Sequence, residues 1–126
     1  MAAKILVVDD NHLVTKTLAR LLEKEGYSVN TAETCQEALT KVEQTGLDLI
    51  ISDIRMPDTD GIEMARKANN LLKEKGKKEL PIIFITGYSD EASHQNALKL
   101  HPADFIYKPF DKEEFLASVA KALRGF

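Results

Sequence analysis

The chain has 126 residues, 44% of them hydrophobic and 29% charged, with a formal net charge of −3 at pH 7. That is enough chain for one domain with a real core and too little for two. The charge offers no basic footprint for nucleic acid, and no run of roughly 18 apolar residues is present that could span a membrane.

Met1-Ala2-Ala3-Lys4 leads directly into a strand-like run, so no signal peptide is expected. The single cysteine, Cys35, has no internal disulfide partner, which suits a reducing cytoplasm as the location. Ile5–Val8 is a nearly continuous apolar run and reads as a first strand buried on both faces. Val14, Leu18, Leu21 and Leu22 form the stripe of a first helix, which Gly26 should stop. Tyr27, Val29 and Thr31 alternate with Ser28 and Asn30, the pattern of an edge strand. Cys35, Ala38, Leu39 and Val42 make a second helical stripe, with Thr34 as candidate N-cap and Gly46 as terminator.

Leu49–Ser52 reads as a third strand. Ile62, Ala65, Asn69 and Leu72 make a weaker third stripe, running into the charged stretch Lys73–Lys78, which reads as an exposed loop. Ile82–Ile85 is a fourth strand. Ala92, Ala97, Leu98 and Leu100 give the least amphipathic helix, Phe105–Tyr107 a short last strand, and Phe115, Leu116, Val119 and Leu123 a fifth helix after an Asp111 cap. Apolar runs thus alternate with amphipathic stretches five times, the mark of βα units around a parallel sheet. The expected fold class is α/β: a flavodoxin-like, doubly wound, five-stranded parallel sheet in the order 2-1-3-4-5, with five helices.

Ligands of such sheets bind outside the carboxyl ends of the strands, at the switch point. The residues found there are Asp9 and Asp10 after strand one, Asp53 after strand three, Thr86 after strand four and Lys108 after strand five. Three crowded carboxylates repel one another, and a hard divalent cation such as Mg²⁺ would relieve them with oxygen ligands alone. No Cys or His cluster offers the softer ligands that zinc prefers. An Asp carboxylate can also attack phosphorus. Lys108 can supply a point charge to a phosphoryl group, and the Thr86 hydroxyl can donate to one of its oxygens. Taken singly, each residue has a plainer role; Asp10, before Asn11 and His12, could simply cap the first helix.

Four segments carry a resemblance: ILVVDDN at 5–11, SDIRMPDTDG at 52–61, IIFITG at 82–87 and FIYKPF at 105–110. In that order and at those separations the chain resembles the receiver (CheY-like) domain of two-component response regulators, from Lys4 to about Leu123. The resemblance implies one receiver domain over residues 1–126. It implies that Asp53 is the phosphoacceptor, Asp10 a direct Mg²⁺ ligand, Asp9 a ligand acting largely through water, and the backbone carbonyl of Arg55 a further ligand. Thr86 and Lys108 would contact the phosphate, and Tyr107 would be the switch aromatic that turns inward when Thr86 moves. The Lys108–Pro109 bond would be cis. Gly87 departs from the family pattern, in which a small side chain is usual, and should leave the site more open. The segment between Asp53 and Pro81 is a few residues longer than in many relatives, and the extra length should lie on the surface, away from the chemistry.

The implied function is a phosphorylation switch, not an enzyme in the ordinary sense. The donor would be a sensor histidine kinase or a histidine phosphotransfer protein, and the responding face would be the fourth helix, fifth strand and fifth helix. The receiver of the signal would be a downstream protein target or an attached output domain, with no direct nucleic-acid or membrane binding. Both a monomer and a phosphorylation-dependent homodimer stay open, as do a stand-alone regulator and a piece of a longer one. Two other readings stand beside this: an aspartyl-phosphate phosphatase or phosphotransferase acting on a small molecule, and a pseudo-receiver that binds without taking phosphate.

The remaining residues have plainer readings. Cys35 is expected to pack in the core, His12 to be a first-turn surface residue, and His94 and His101 to be solvated helix-end residues. Met56-Pro57 and Gly61 are expected to supply loop and turn chemistry beside the site.

Overall fold

A computed structural model describes residues 2–56, 60–87 and 91–125. The described elements alternate without exception: β1 (Lys4–Val8), α1 (His12–Lys24), β2 (Ser28–Ala32), α2 (Cys35–Gln44), β3 (Leu49–Asp53), α3 (Gly61–Glu74), β4 (Ile82–Thr86), α4 (Glu91–Leu98), β5 (Asp104–Tyr107) and α5 (Lys112–Arg124). The strands form one parallel sheet in the order β2-β1-β3-β4-β5, the order expected from the alternation of runs. Among the described residues no helix is long and apolar enough to cross a membrane.

Strand alternation divides the core in two. Leu6, Val8, Ile50, Ile54 and Phe84 face the layer that holds α2 and α3, meeting Ala38, Val42, Met64, Ala68 and Leu72. Ile5, Val7, Leu49, Ile51, Ile83 and Ile85 face α1 and α5, meeting Leu18, Leu22, Phe115 and Val119. Fully burying each such side chain contributes roughly 1.5–3 kcal/mol, so both faces of the three central strands are held tightly.

The helix boundaries follow local chemistry. Thr34 caps α2 by accepting from Glu37 N, and Asp111 caps α5 by accepting from Glu114 N, both as the sequence indicated. Gly26 ends α1 in the left-handed region at φ 93°. Gly46 does not play that part: α2 ends at Gln44, and Thr45, in extended conformation, is its C-cap.

The third helix is stronger than its sequence stripe. It buries Gly61, Ile62, Met64, Ala65, Ala68 and Leu72, and its N-cap is Asp60. The stripe reads as weak because Asn69 stands on it. That amide turns inward to bridge a backbone, accepting from Leu80 N at 2.8 Å and donating to Leu80 O at 3.3 Å. It thereby ties down the approach to β4, while residues 73–79 before it are exposed, as expected of the extra length. Thr15 and Ser118 are buried in helix faces where periodicity alone would place apolar residues. Each hydroxyl is satisfied, Thr15 by His12 O at 2.9 Å and Ser118 by the Asp104 carboxylate at 2.6 Å.

Asn69→Ala removes both bonds to Leu80 and leaves a backbone donor and acceptor unsatisfied. Chemical denaturation is expected to register a loss of about 1–3 kcal/mol. The backbone resonances of Asp9, Asp10 and Asp53, at the opposite ends of the strands, should not move.

Candidate functional site

The sheet order sets β1 between β2 and β3, with Val8 paired to Ser52, so the segments that follow these strands emerge side by side. Asp9, Asp10 and Asp53 meet there, one carboxylate oxygen of each lying within 4.8 Å of the others. Asp9 continues the line of β1, its N–H donating to Ala32 O at 3.1 Å. It is only 4% exposed. Asp10 is exposed and does not cap α1. The cap is Asn11, whose side chain accepts from Leu13 N at 3.0 Å and Val14 N at 3.4 Å. The plain structural role open to Asp10 is therefore taken by its neighbour.

Two backbone donors and one cation hold the inner carboxylates. Asp9 Oδ1 accepts from Asn11 N at 2.9 Å, and Asp53 Oδ1 from Arg55 N at 3.2 Å. Lys108 Nζ reaches both remaining oxygens, Asp9 Oδ2 at 3.3 Å and Asp53 Oδ2 at 3.1 Å. Lys108 is itself placed by its N–H, which donates to Thr86 O at 2.8 Å, and its bond to Pro109 is cis, as the resemblance implies.

Burial pushes the Asp9 carboxyl up, and Asp53 adds to the rise; the Asn11 N–H and Lys108 oppose it without cancelling it. For Lys108, burial pulls downward, but Asp53 and Asp9 more than offset this and its ammonium is held above its usual range. One firmly charged lysine thus pairs with two acids of a cluster of three. Like charges about 4–5 Å apart repel by on the order of 3–4 kcal/mol at an effective dielectric of 20, so among the described contacts this cluster carries more negative charge than Lys108 offsets. The donor set is all oxygen, with no sulfur or imidazole in the cluster, and fits a hard divalent cation such as Mg²⁺.

Thr86 ends β4, 2% exposed, and its register partner is Tyr107. Phe84 pairs with Phe105 in the same register, so these four side chains share one face of the β4–β5 ladder. The Tyr107 ring lies 5.1 Å from that of Phe105 and is 41% exposed. Arg55 is exposed and pairs with Asp60 in an antiparallel bridge that closes the β3–α3 connection. At Gly87 an added Cβ would stand 4.0 Å from Lys108 Cβ and Cδ, with no nearer atom among the described residues beyond its chain neighbours.

Other sequence expectations resolve simply. Cys35 is buried, and His12 is a first-turn surface residue paired with Glu33 at 2.7 Å. His101 is exposed, just beyond the end of α4. Pro57 and the side chain of His94 lie outside the described residues. Gly61 is not turn chemistry. It is the first residue of α3, without a left-handed φ, and it lies against the backbone of Asp53.

One feature leaves almost no trace in the sequence. Leu13, on the outer side of α1, is 70% exposed and forms a groove of about 460 Å³ with Val14, Leu18, Leu21, Phe110 and Lys108. An apolar residue one place ahead of the buried stripe was its sole sequence signal.

A family model described as the response regulator receiver domain matches residues 5–120. The transcriptional regulatory protein ResD of Bacillus subtilis is 38% identical over 121 residues, covering 96% of this chain and 48% of that protein. The alkaline phosphatase synthesis transcriptional regulatory protein PhoP of the same organism is 38% identical over 124 residues, covering 98% of this chain and 50% of that protein. The chain therefore spans about half the length of these curated relatives. A receiver domain (CheY-like) crystal structure from Methanospirillum hungatei superimposes with a TM-score of 0.90 at 30% identity, covering 99% of this chain and 96% of that one.

The raised Asp9 carboxyl has a consequence for stability. An acid whose folded pKa exceeds its unfolded value binds more protons when folded, so it lowers stability as pH rises through that window. Asp9→Asn keeps the oxygen that accepts from Asn11 N and removes the charge. In metal-free buffer at neutral pH the variant should melt a few degrees above the wild type, and the gain should vanish below about pH 4, near the unfolded carboxyl pKa. Thermal melts across pH check both halves.

Proposed function

The chain belongs to the response regulator receiver family, and from that premise we propose that it is a phosphorylation switch whose acceptor is Asp53. Residues 1–126 act as one receiver unit. The observation that carries this reading is Lys108 Nζ bridging Asp9 and Asp53, beside Asp10, at the tips of adjacent strands.

The donor is a phosphohistidine on a sensor kinase or a phosphotransfer protein, its ring protonated on the nitrogen that does not carry phosphorus. An Asp53 carboxylate oxygen attacks phosphorus in line, the P–N bond breaks, and its electron pair returns to that ring nitrogen, so the imidazole leaves neutral with its one remaining N–H. The product is an acyl phosphate on Asp53. Receiver domains bind Mg²⁺ at an acidic pocket, and here Asp9, Asp10, Asp53 and the Arg55 carbonyl would hold it, where it neutralises charge on the transferred group. Lys108 is already 3.1 Å from Asp53 and needs little movement to pair with a phosphoryl oxygen. Thr86 donates its hydroxyl to another. Its register pairing with Tyr107 supports a switch in which the exposed ring turns inward as Thr86 moves, changing the α4–β5–α5 face. The phosphate selects between two pre-existing conformations. That face passes the signal to a protein target or an attached output domain.

Incubation with acetyl phosphate and Mg²⁺ should add the mass of one phosphoryl group. Asp53→Ala and excess EDTA should each abolish it. An adduct that survives Asp53→Ala would overturn the assignment, and sustained turnover of p-nitrophenyl phosphate would favour the small-molecule phosphatase instead.

The groove around Leu13 is proposed as the donor's landing surface, because it is apolar, exposed and bounded by Lys108 itself. Leu13→Asp should slow phosphotransfer from a cognate phosphohistidine protein roughly tenfold or more, equivalent to about 1.4 kcal/mol. Its rate with acetyl phosphate should stay within about twofold of wild type, since that donor needs no landing surface. Equal loss with both donors would place Leu13 in the fold of the site rather than in docking.

A further inference from the structure

Ser52 and Gly61 meet on the backbone of Asp53, from the side opposite its carboxylate. Alternation along β3 turns Ser52 toward the α2–α3 layer with Ile50 and Ile54, whereas Asp53 shares the face of Ile51. Ser52 is 0% exposed. A buried hydroxyl is costly unless it is bonded, and this one donates to the Asp53 carbonyl oxygen at 2.8 Å. Gly61 presses on the same peptide. A Cβ there would stand 2.0 Å from Asp53 O, 3.0 Å from Asp53 C and 2.8 Å from Ser52 Oγ.

Two further bonds extend this contact to the site. Gly61 N donates to Ile54 O at 2.5 Å, clamping the first turn of α3 onto the residue after Asp53. The next residue, Arg55, donates its N–H to Asp53 Oδ1 at 3.2 Å. The Arg55–Asp60 bridge closes the same connection. Backbone conformation does not demand glycine at 61, because its φ lies outside the left-handed region. Alanine is in general the better helix former of the two. Space alone therefore excludes a side chain, and the obstruction is backbone, which cannot rotate away as a side chain does.

We propose that Ser52 and Gly61 act together as positioning residues for Asp53, setting its peptide plane and, through Arg55 N–H, the direction of its carboxylate. The functional half of this rests on the receiver reading; the positional half does not. Neither residue is one of the strand-tip groups Asp9, Asp10, Asp53, Thr86 and Lys108; both act on Asp53 through its backbone.

The test compares Ser52→Ala, Gly61→Ala and the double variant, each confirmed folded by circular dichroism. In metal-free protein, carbonyl-carbon and amide shifts of Asp53, Ile54 and Arg55 should move in both single variants. With acetyl phosphate and saturating Mg²⁺, the maximal rate should fall about fivefold for Ser52→Ala, the equivalent of one ordinary hydrogen bond. It should fall about a hundredfold for Gly61→Ala, as for a misplacement near 1 Å. The half-saturating acetyl phosphate concentration should hardly change. Because both residues act on one peptide, the double variant should lose less than the product of the two single losses.

Wild-type shifts at Asp53–Arg55 in Ser52→Ala would overturn the proposal even if Gly61→Ala does not fold. Slowed phosphorylation with unmoved shifts would overturn it as well, and losses that simply multiply would overturn the joint action. A wild-type protein that takes no phosphate at all, yet shows the shift changes, would refute the receiver reading and leave the positioning intact.

Discussion

The constraint on which the rest of the structure depends is the confinement of Asp9, Asp10 and Asp53 to one strand-end cluster. Repulsion within such a cluster is worth several kcal/mol at an effective dielectric of about 20, a sizeable part of a typical domain's whole stability. The fold tolerates it because the two inner carboxylates are fixed from the rigid side. Asn11 N and Arg55 N supply donors, and Lys108, just past the end of β5, reaches both. The raised Asp9 carboxyl shows that this support is incomplete, with burial as its largest cause. That shortfall of positive charge, in an all-oxygen cluster, is what would favour a hard divalent cation there.

Sheet alternation distributes the candidate machinery between two faces. Asp53 follows Ile51, and Lys108 follows Ile106, so both lie on the α1–α5 side, where the Leu13 groove also opens. Thr86 follows Phe84 on the other side and is paired with Tyr107. In the proposed switch a phosphoryl group would arrive on one face and be registered on the other, with the end of β4 as the crossing point. The site is held at its base by α3, whose first residue rests directly on Asp53.

Much of this was legible without coordinates. Ile5–Val8, Leu49–Ser52 and Ile82–Ile85 are apolar on both faces because helices cover both sides of a parallel sheet. Thr34 and Asp111 announced their helices because capping depends on only the next few residues. Errors arose where a tertiary contact overrode a local rule. Asn69 made α3 look weak because its partner, Leu80, is eleven residues away. Gly46 resembled a terminator, yet Thr45 ends α2 without a left-handed residue. Taken singly, Asp10 could read as a cap, but Asn11 fills that role.

By itself, then, the sequence determined the strand runs, the strand order and the five residues at the strand tips, since hydrophobic period and connection rules act locally and allow few alternatives. Only the tertiary structure decided which charges face one another, that Lys108 serves two acids at once, and that Gly61 is needed for proximity to Asp53 rather than for a turn. The physical reason is range. Backbone preference and amphipathic period are written within a few residues, whereas a 2.0 Å obstruction or a bridging ammonium depends on segments 8 to 99 residues apart in the chain.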